Sequence, residues 1–278
     1  ILVLYGALTY EPIGPLLLGG IVPGILLALM YMLTINLWVR RDPSVAPRNA
    51  SAVSWGERIR SVKDLWAFIV IFAVSIGGIF FGWFTPTEAA AIGATGAFLI
   101  VLFSRRMTWK FLSDSLGESL RISSMIFIIL VGAALFSKFM ALSRIPVALT
   151  NFVAELDVSR YVVLALILLV YFILGMFLEG IAILVLTLPI VYPLITDLGF
   201  NGIWFGIIVV VMFNIGTLTP PLGMAVYIVS GLVPEFPIGK TFRAVIPMVV
   251  TMVVFTILLI IFPQIVTFLP DLAVKYFS

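Results

Sequence analysis

The chain has 278 residues, of which 63% are hydrophobic and only 10% charged, and its mean hydropathy is +1.26. Soluble domains carry about 25% charged residues, so this composition excludes an ordinary soluble fold and indicates a polytopic membrane protein. The formal net charge of +3 sits in short loops, which marks topology and not a nucleic-acid surface, and the absence of Cys and His removes disulfides, thiolate nucleophiles, thiolate or imidazole metal sites and a histidine proton relay.

The chain opens at Ile1 without a methionine, a basic region or a cleavage site, so its start is expected to be the interior of a longer protein and not a signal peptide. Residues 1–10 end an apolar element, and 13–38 form the first full span. Residues 40–64 are a polar connection holding Arg40, Arg41, Arg48, Arg58, Arg60 and Lys63 against Asp42, Glu57 and Asp64. Residues 65–104 are some forty mostly apolar positions, interrupted at 84–88 and followed by Arg105, Arg106 and Lys110. That length makes two passes, and the basic residues at both ends put those ends on the cytoplasmic side.

Residues 114–121 are polar enough for an interfacial helix, with the next span at 122–142. Residues 143–160 are mixed and fit a short amphipathic helix in the interface. A nearly pure Val, Leu and Ile span at 161–178 leads directly into a second apolar segment at 181–198, which Pro189 and Pro193 break, and residues 197–202 form a turn. Residues 203–230 follow, then a loop at 233–243, the last span at 244–262 and a short tail.

The decisive interruption lies between Phe213 and Met224, where the sequence reads Phe-Asn-Ile-Gly-Thr-Leu-Thr-Pro-Pro-Leu-Gly-Met. Pro220 and Pro221 remove two backbone donors and clash with the preceding turn, so no continuous helix can run through them. At membrane depth such backbone survives only when buried in protein or lining a wet cavity. Freed carbonyls and hydroxyls at helix ends are the ligands a small hard cation needs, and broken helices mark the ion and substrate sites of secondary transporters. Thr85-Pro86-Thr87 also sets threonine beside proline within an apolar run. It is either an internal echo of an inverted repeat or simply a proline that ends a helix.

Four segments in order carry a resemblance: Gly82-Trp83-Phe84-Thr85-Pro86-Thr87-Glu88-Ala89-Ala90-Ala91, Gly175-Met176-Phe177-Leu178-Glu179, Pro189-Ile190-Val191-Tyr192-Pro193, and Asn214 to Gly223 around the two prolines. From end to end the chain resembles the large membrane subunit of tripartite ATP-independent periplasmic (TRAP) transporters, the DctM-like family. The resemblance implies an all-α polytopic membrane protein of elevator type, with inverted repeats, a re-entrant hairpin and broken helices, similar to the ion transporter superfamily. Residues 1–64 would close the first repeat, with a span and a cytoplasmic connection, and 65–278 would form the second inverted repeat, with the Pro-Pro segment as its hairpin.

It further implies sodium-coupled import of an organic acid anion across the bacterial inner membrane. The cargo classes are C4-dicarboxylates, sialic acid and other sugar or keto acids, and ectoine-like compounds. A DctP-like periplasmic binding protein would deliver the cargo, and a small DctQ-like membrane subunit would brace the scaffold. No cofactor is implied beyond sodium as coupling ion. Carried over by position, sodium would be held by the carbonyls of Gly175, Gly216 and Leu222 with oxygen from Thr219, and Asn214 and Thr217 would face the substrate.

Each of these residues has a second reading. Gly175 and Gly216 also suit plain helix packing, and Asn214 and Thr217 an interhelical hydrogen bond. Glu88 and Glu179 are either ion or proton ligands or helix-capping groups at turns. Lys138 and Arg144 either attract a carboxylate or snorkel at a helix end. The alternative functions are a stand-alone dicarboxylate, citrate or arsenite carrier, an intramembrane enzyme, or a channel. The last two would need a catalytic constellation within the bilayer or a polar stripe along a helix.

Overall fold

The structure is a computed structural model describing residues 1–43, 56–57, 65–155, 158–232 and 237–277. Most of the charged connection at 40–64, Asp157 and the loop at 233–236 lie outside the described residues. Those described form helices and no strand. In chain order these are α1 (Leu2–Thr9), α2 (Ile13–Gly19), α3 (Ile21–Arg41), α4 (Trp66–Phe80) and α5 (Pro86–Phe103). Then come α6 (Trp109–Ser143), α7 (Ile145–Glu155), α8 (Arg160–Phe177), α9 (Gly180–Asp197) and α10 (Gly202–Leu218). The last are α11 (Met224–Leu232), α12 (Ile238–Ile261) and α13 (Gln264–Phe277). Six helices, counting α2 and α3 as one, are long and apolar enough to cross a membrane among the described residues.

The chain divides into two compact units. One comprises Ile1–Thr34 and Ile126–Pro270, and the other Ile35–Met125 and Asp271–Ser278. In the second unit α4 and α5 pack antiparallel: Gly93 and Gly96 lie against Ile71, and Ser75 Oγ donates to Ala89 O at 3.3 Å. The turn between them places the Phe84 ring over Gly78 and sends Gly82 to a positive φ of 72°. Pro86 then opens α5 at a position where its missing N–H costs nothing. Thr85 and Glu88 form a capping box: Thr85 N–H donates to Glu88 Oε2 at 2.8 Å, and Glu88 N–H to Thr85 Oγ1 at 3.3 Å. Glu88 is thus a cap. Thr85 begins a helix whereas Thr219 ends one, so the two Thr-Pro segments do not play equivalent local roles.

The first unit is built around α10. Eleven of its seventeen residues are buried, as expected of a helix that is apolar on every face. It packs against α8, α12, α2, α9, α11 and α1. Trp204 Nε1 donates to Leu259 O at 2.8 Å, tying α10 to α12, and the Thr34 and Thr251 hydroxyls bond at 2.7 Å between α3 and α12. At about 1.5 Å per residue α10 is roughly 25 Å long, short of the ~30 Å hydrocarbon thickness.

Three elements differ from the sequence reading; one is the loop expected at 233–243, whose described part is helical from Ile238 because Pro237 sits at the N-cap, where its missing N–H costs nothing. The interfacial helix expected at 114–121 and the span at 122–142 are one continuous helix, α6, because no proline or left-handed residue interrupts the polarity change between them. The expected tail is α13, which starts beyond Pro263 and buries Val266. The helix expected at 143–160 is α7, packed against α9.

Removing the Thr85 cap with Thr85→Ala is expected to cost about 1 kcal/mol of local stability. Hydrogen exchange should therefore quicken over residues 87–89. Glu88→Gln keeps an acceptor and should change exchange less; equal effects of the two substitutions would contradict the reciprocal cap.

Candidate ion site where two helix ends meet

α8 starts on Ser159, whose hydroxyl accepts the Tyr161 N–H at 3.4 Å. Its ladder closes when Leu178 N–H donates to Leu174 O at 2.8 Å, and Leu178 itself is extended. α9 begins at Gly180. The chain reverses at residues 178–179, because Tyr171 and Thr187, well back from that tip on each helix, share a hydrogen bond of 2.7 Å. The Thr187 hydroxyl donates to Ile183 O at 2.7 Å, so Tyr171 supplies the proton of the cross-helix bond. The helical hairpin is thus α8 and α9, while the Pro-Pro break separates α10 from α11. Glu179 is exposed at the N-cap position of α9, and its side chain makes no capping bond.

Asn201 caps the other end of the arrangement, its Oδ1 accepting the Trp204 N–H at 2.9 Å to start α10. The helix stops at Leu218 because Pro220 and Pro221 have no N–H to give the carbonyls of Gly216 and Thr217. Thr219, preceding a proline, is forced to an extended conformation with φ −104° and ψ 140°. Its N–H turns back to Gly216 O at 3.0 Å, and its hydroxyl donates to Ile215 O at 2.7 Å. The hydroxyl proton is committed, so the lone pairs of Thr219 Oγ1 remain to accept or coordinate. Gly216 O likewise keeps a second lone pair.

The two helix ends touch through glycine. A Cβ added to Gly216 would fall 2.5 Å from Gly175 Cα and 2.9 Å from Gly175 O, and one added to Gly175 3.2 Å from Gly216 Cα. No side chain fits, so backbone meets backbone. Both are C-terminal ends, each carrying about half a negative charge from its aligned peptides. The carbonyls of the last turn of each lie beyond its final helical bond. The packing reading and the ligand reading of these glycines are therefore compatible, since the close contact sets the backbones of the two helix ends side by side.

Gly175, Gly216 and Thr219 lie in this region, with Leu222 three positions beyond Thr219 in the turn that Gly223 closes at φ 44°. Asn214 and Thr217 bond within their own helix and not across helices: Asn214 Nδ2 donates to Val210 O at 2.8 Å, and Thr217 Oγ1 to Asn214 O at 2.9 Å. Asn214 is exposed and lines a cavity of about 390 Å³ whose walls include Gly20, Pro23, Tyr31 and Phe255. Lys138 is exposed on α6. Arg144, at a left-handed φ of 55° between α6 and α7, lines a separate cavity of about 490 Å³. Among the described residues no group of three or more carboxylates gathers as a metal centre.

One polar cluster escaped the sequence reading. Tyr192 Oη donates to Glu11 Oε1 at 2.6 Å, and Tyr5 Oη to Gly202 O at 2.7 Å. The signal was present, because Glu11 is the only charged residue before Arg40 in an apolar stretch, and such carboxylates are functional candidates by default.

The model of the family described as "Tripartite ATP-independent periplasmic transporter, DctM component" matches residues 1–265. The C4-dicarboxylate TRAP transporter large permease protein DctM of Pseudomonas aeruginosa is 34% identical over 98% of this chain and 63% of its own length. The sialic acid TRAP transporter large permease protein SiaM of Vibrio cholerae is 32% identical over 99% of this chain and 64% of its own. The ectoine/5-hydroxyectoine TRAP transporter large permease protein UehC of Ruegeria pomeroyi is 30% identical over 98% and 63%. The chain thus spans about three-fifths of the length of these curated relatives. With six helices able to span a membrane and a family match over nearly all its residues, the chain belongs to the DctM family of TRAP transporter components, multi-pass inner-membrane proteins and not enzymes.

Proposed function

We propose that the protein containing this chain is the large permease subunit of a sodium-coupled TRAP transporter that imports organic acid anions. Its partners are a periplasmic binding protein that delivers the cargo and a small membrane subunit. Relatives are named for C4-dicarboxylates, sialic acid and isethionate, which are anions, and for ectoine, a zwitterion that carries a carboxylate, which supports an acid-bearing cargo without selecting one member.

The observation that carries the sodium reading is the backbone contact of Gly175 with Gly216 at two helix C-termini, beside a Thr219 hydroxyl whose proton is already used. The proposed ligands are the carbonyls of Gly175, Gly216 and Leu222 and Thr219 Oγ1. Neutral oxygens and helix-end dipoles attract a monovalent ion yet release it on every cycle, as a transporter requires. Excess sodium charge moving inward gains roughly 2.3 kcal/mol per charge at −100 mV, enough to concentrate an anion. For the substrate, Asn214 offers the amide N–H not given to Val210, at the rim of an apolar cavity; Thr217 has only acceptor lone pairs left. In an elevator mechanism the α8–α9 hairpin would travel with α10.

The test is uptake of a labelled organic acid by the full-length protein, reconstituted with its small subunit and a binding protein, with and without an inward sodium gradient. Thr219→Ala should lower sodium-driven uptake about tenfold, the equivalent of roughly 1.4 kcal/mol, and Thr219→Ser should retain most of it. Gly216→Leu should abolish uptake by separating the two helix ends. Transport that follows protons, or proceeds without the binding protein, would instead identify a stand-alone carrier. In the same assay Asn214→Ala should raise the apparent KM for the acid several-fold while leaving half-saturating sodium unchanged; the reverse pattern would remove Asn214 from the substrate site.

A further inference from the structure

The base of the hairpin, at the end of α9 remote from the tip, carries a polar joint that the ion site does not use. α1 and α2 meet there in a tight corner. Thr9 Oγ1 donates to Tyr5 O at 2.8 Å and accepts the Glu11 N–H at 3.4 Å, while Tyr10 adopts a positive φ of 60°. Glu11, just past that corner, projects its carboxylate onto two other elements. Its Oε1 accepts the Tyr192 hydroxyl of α9 at 2.6 Å, a charge-assisted bond. The same oxygen occupies the space that a Cβ on Gly202 would fill, so the carboxylate is seated against the first residue of α10, at the positive end of its dipole. Fully buried Tyr5 donates to Gly202 O at 2.7 Å, and its ring lies 2.8 Å from where a Gly206 Cβ would stand. The Tyr5 and Tyr192 rings meet edge to face at 6.1 Å.

This joint fixes something that the glycine contact alone cannot. Two backbones touching at Gly175 and Gly216 present no side-chain knob against sliding along the helix axis. A helix is stiff, so an axial slip of about 1 Å at Gly202 arrives undiminished at Gly216, roughly 21 Å away. Coordination distances tolerate only tenths of an ångström. The Tyr171–Thr187 bond sets the register of α8 against α9, and the Glu11–Tyr192–Gly202 joint sets that of α9 against α10. Together they close a mechanical loop from Gly175 to Gly216.

We propose that Glu11 is a positioning residue of the ion site, locking the axial register of α10 to the hairpin through Tyr192 and Gly202. The proposal rests on the sodium reading above, so its test has one readout that needs no ion. In full-length protein with its partner subunits, Glu11→Ala and Tyr192→Phe should each speed hydrogen exchange at residues 202–206 in sodium-free buffer. Each should also raise half-saturating sodium for uptake about fivefold, the consequence of roughly one lost hydrogen bond. Glu11→Gln, which keeps an acceptor for Tyr192 but loses the carboxylate charge at the start of α10, should fall between wild type and Glu11→Ala in both. The double variant should be no worse than Glu11→Ala. Unchanged exchange, or faster exchange with unchanged half-saturation, overturns the proposal, as does Glu11→Gln behaving like Glu11→Ala. A wild type indifferent to sodium would instead count against the ion reading, and exchange alone would then decide whether Glu11 holds α10.

Discussion

Two adjacent prolines with no N–H to give set the terms for the first unit. Because Pro220 and Pro221 leave the carbonyls at the end of α10 without helical donors, that end requires other partners, and lipid offers none. The local structure answers in part: Thr219 turns its N–H and hydroxyl back onto Gly216 O and Ile215 O. A second helix end, that of α8, is brought against them. Two negative dipole ends in contact are unfavourable without a cation, which gives the arrangement a chemical direction.

The burial of α10 follows from the same constraint. Eleven of its seventeen residues are buried among other helices, and its apolar composition on every face permits this. Glycines occur where backbones or rings come closest: Gly216 against Gly175, Gly206 against the Tyr5 ring, Gly202 against the Glu11 carboxylate. These contacts set the distance between elements, and side-chain hydrogen bonds set their register. The α4–α5 hairpin solves its own turn differently, with a proline-opened helix and a capping box.

What was legible in the sequence divides along physical lines. The break at Pro220–Pro221 could be read directly, because proline lacks a donor whatever surrounds it. The apolar spans could also be read from composition. The turn at Glu179, between the spans at 161–178 and 181–198, could be read as well; what pairs those two helices there, the Tyr171–Thr187 bond, is tertiary and could not. Polarity suggested a boundary near residue 121 where the backbone has none, because a polar face does not interrupt helical hydrogen bonding. α13 was missed because its apolar positions are interspersed with Asp271, Lys275 and Pro270. The two Thr-Pro segments could not be told apart in sequence, because the same residue types serve at a helix start in one place and a helix end in the other. Glu11 had a clear signal, a lone carboxylate in an apolar stretch, but its partners Tyr192 and Gly202 are far away in sequence.

The most direct measurement is ion-specific thermal stabilisation of the full-length protein at constant ionic strength, with sodium replaced stepwise by choline. A ligand present at about a hundredfold excess over its dissociation constant stabilises the folded state by roughly 2.7 kcal/mol. A cation held between the ends of α8 and α10 should therefore raise Tm in sodium relative to choline in wild type, and Thr219→Ala should lose most of that difference, beyond any fall in its Tm in choline from the lost bond to Ile215 O. The same Tm in sodium and choline, or a sodium effect that Thr219→Ala leaves intact, would contradict an ion site at the meeting of Gly175 and Gly216.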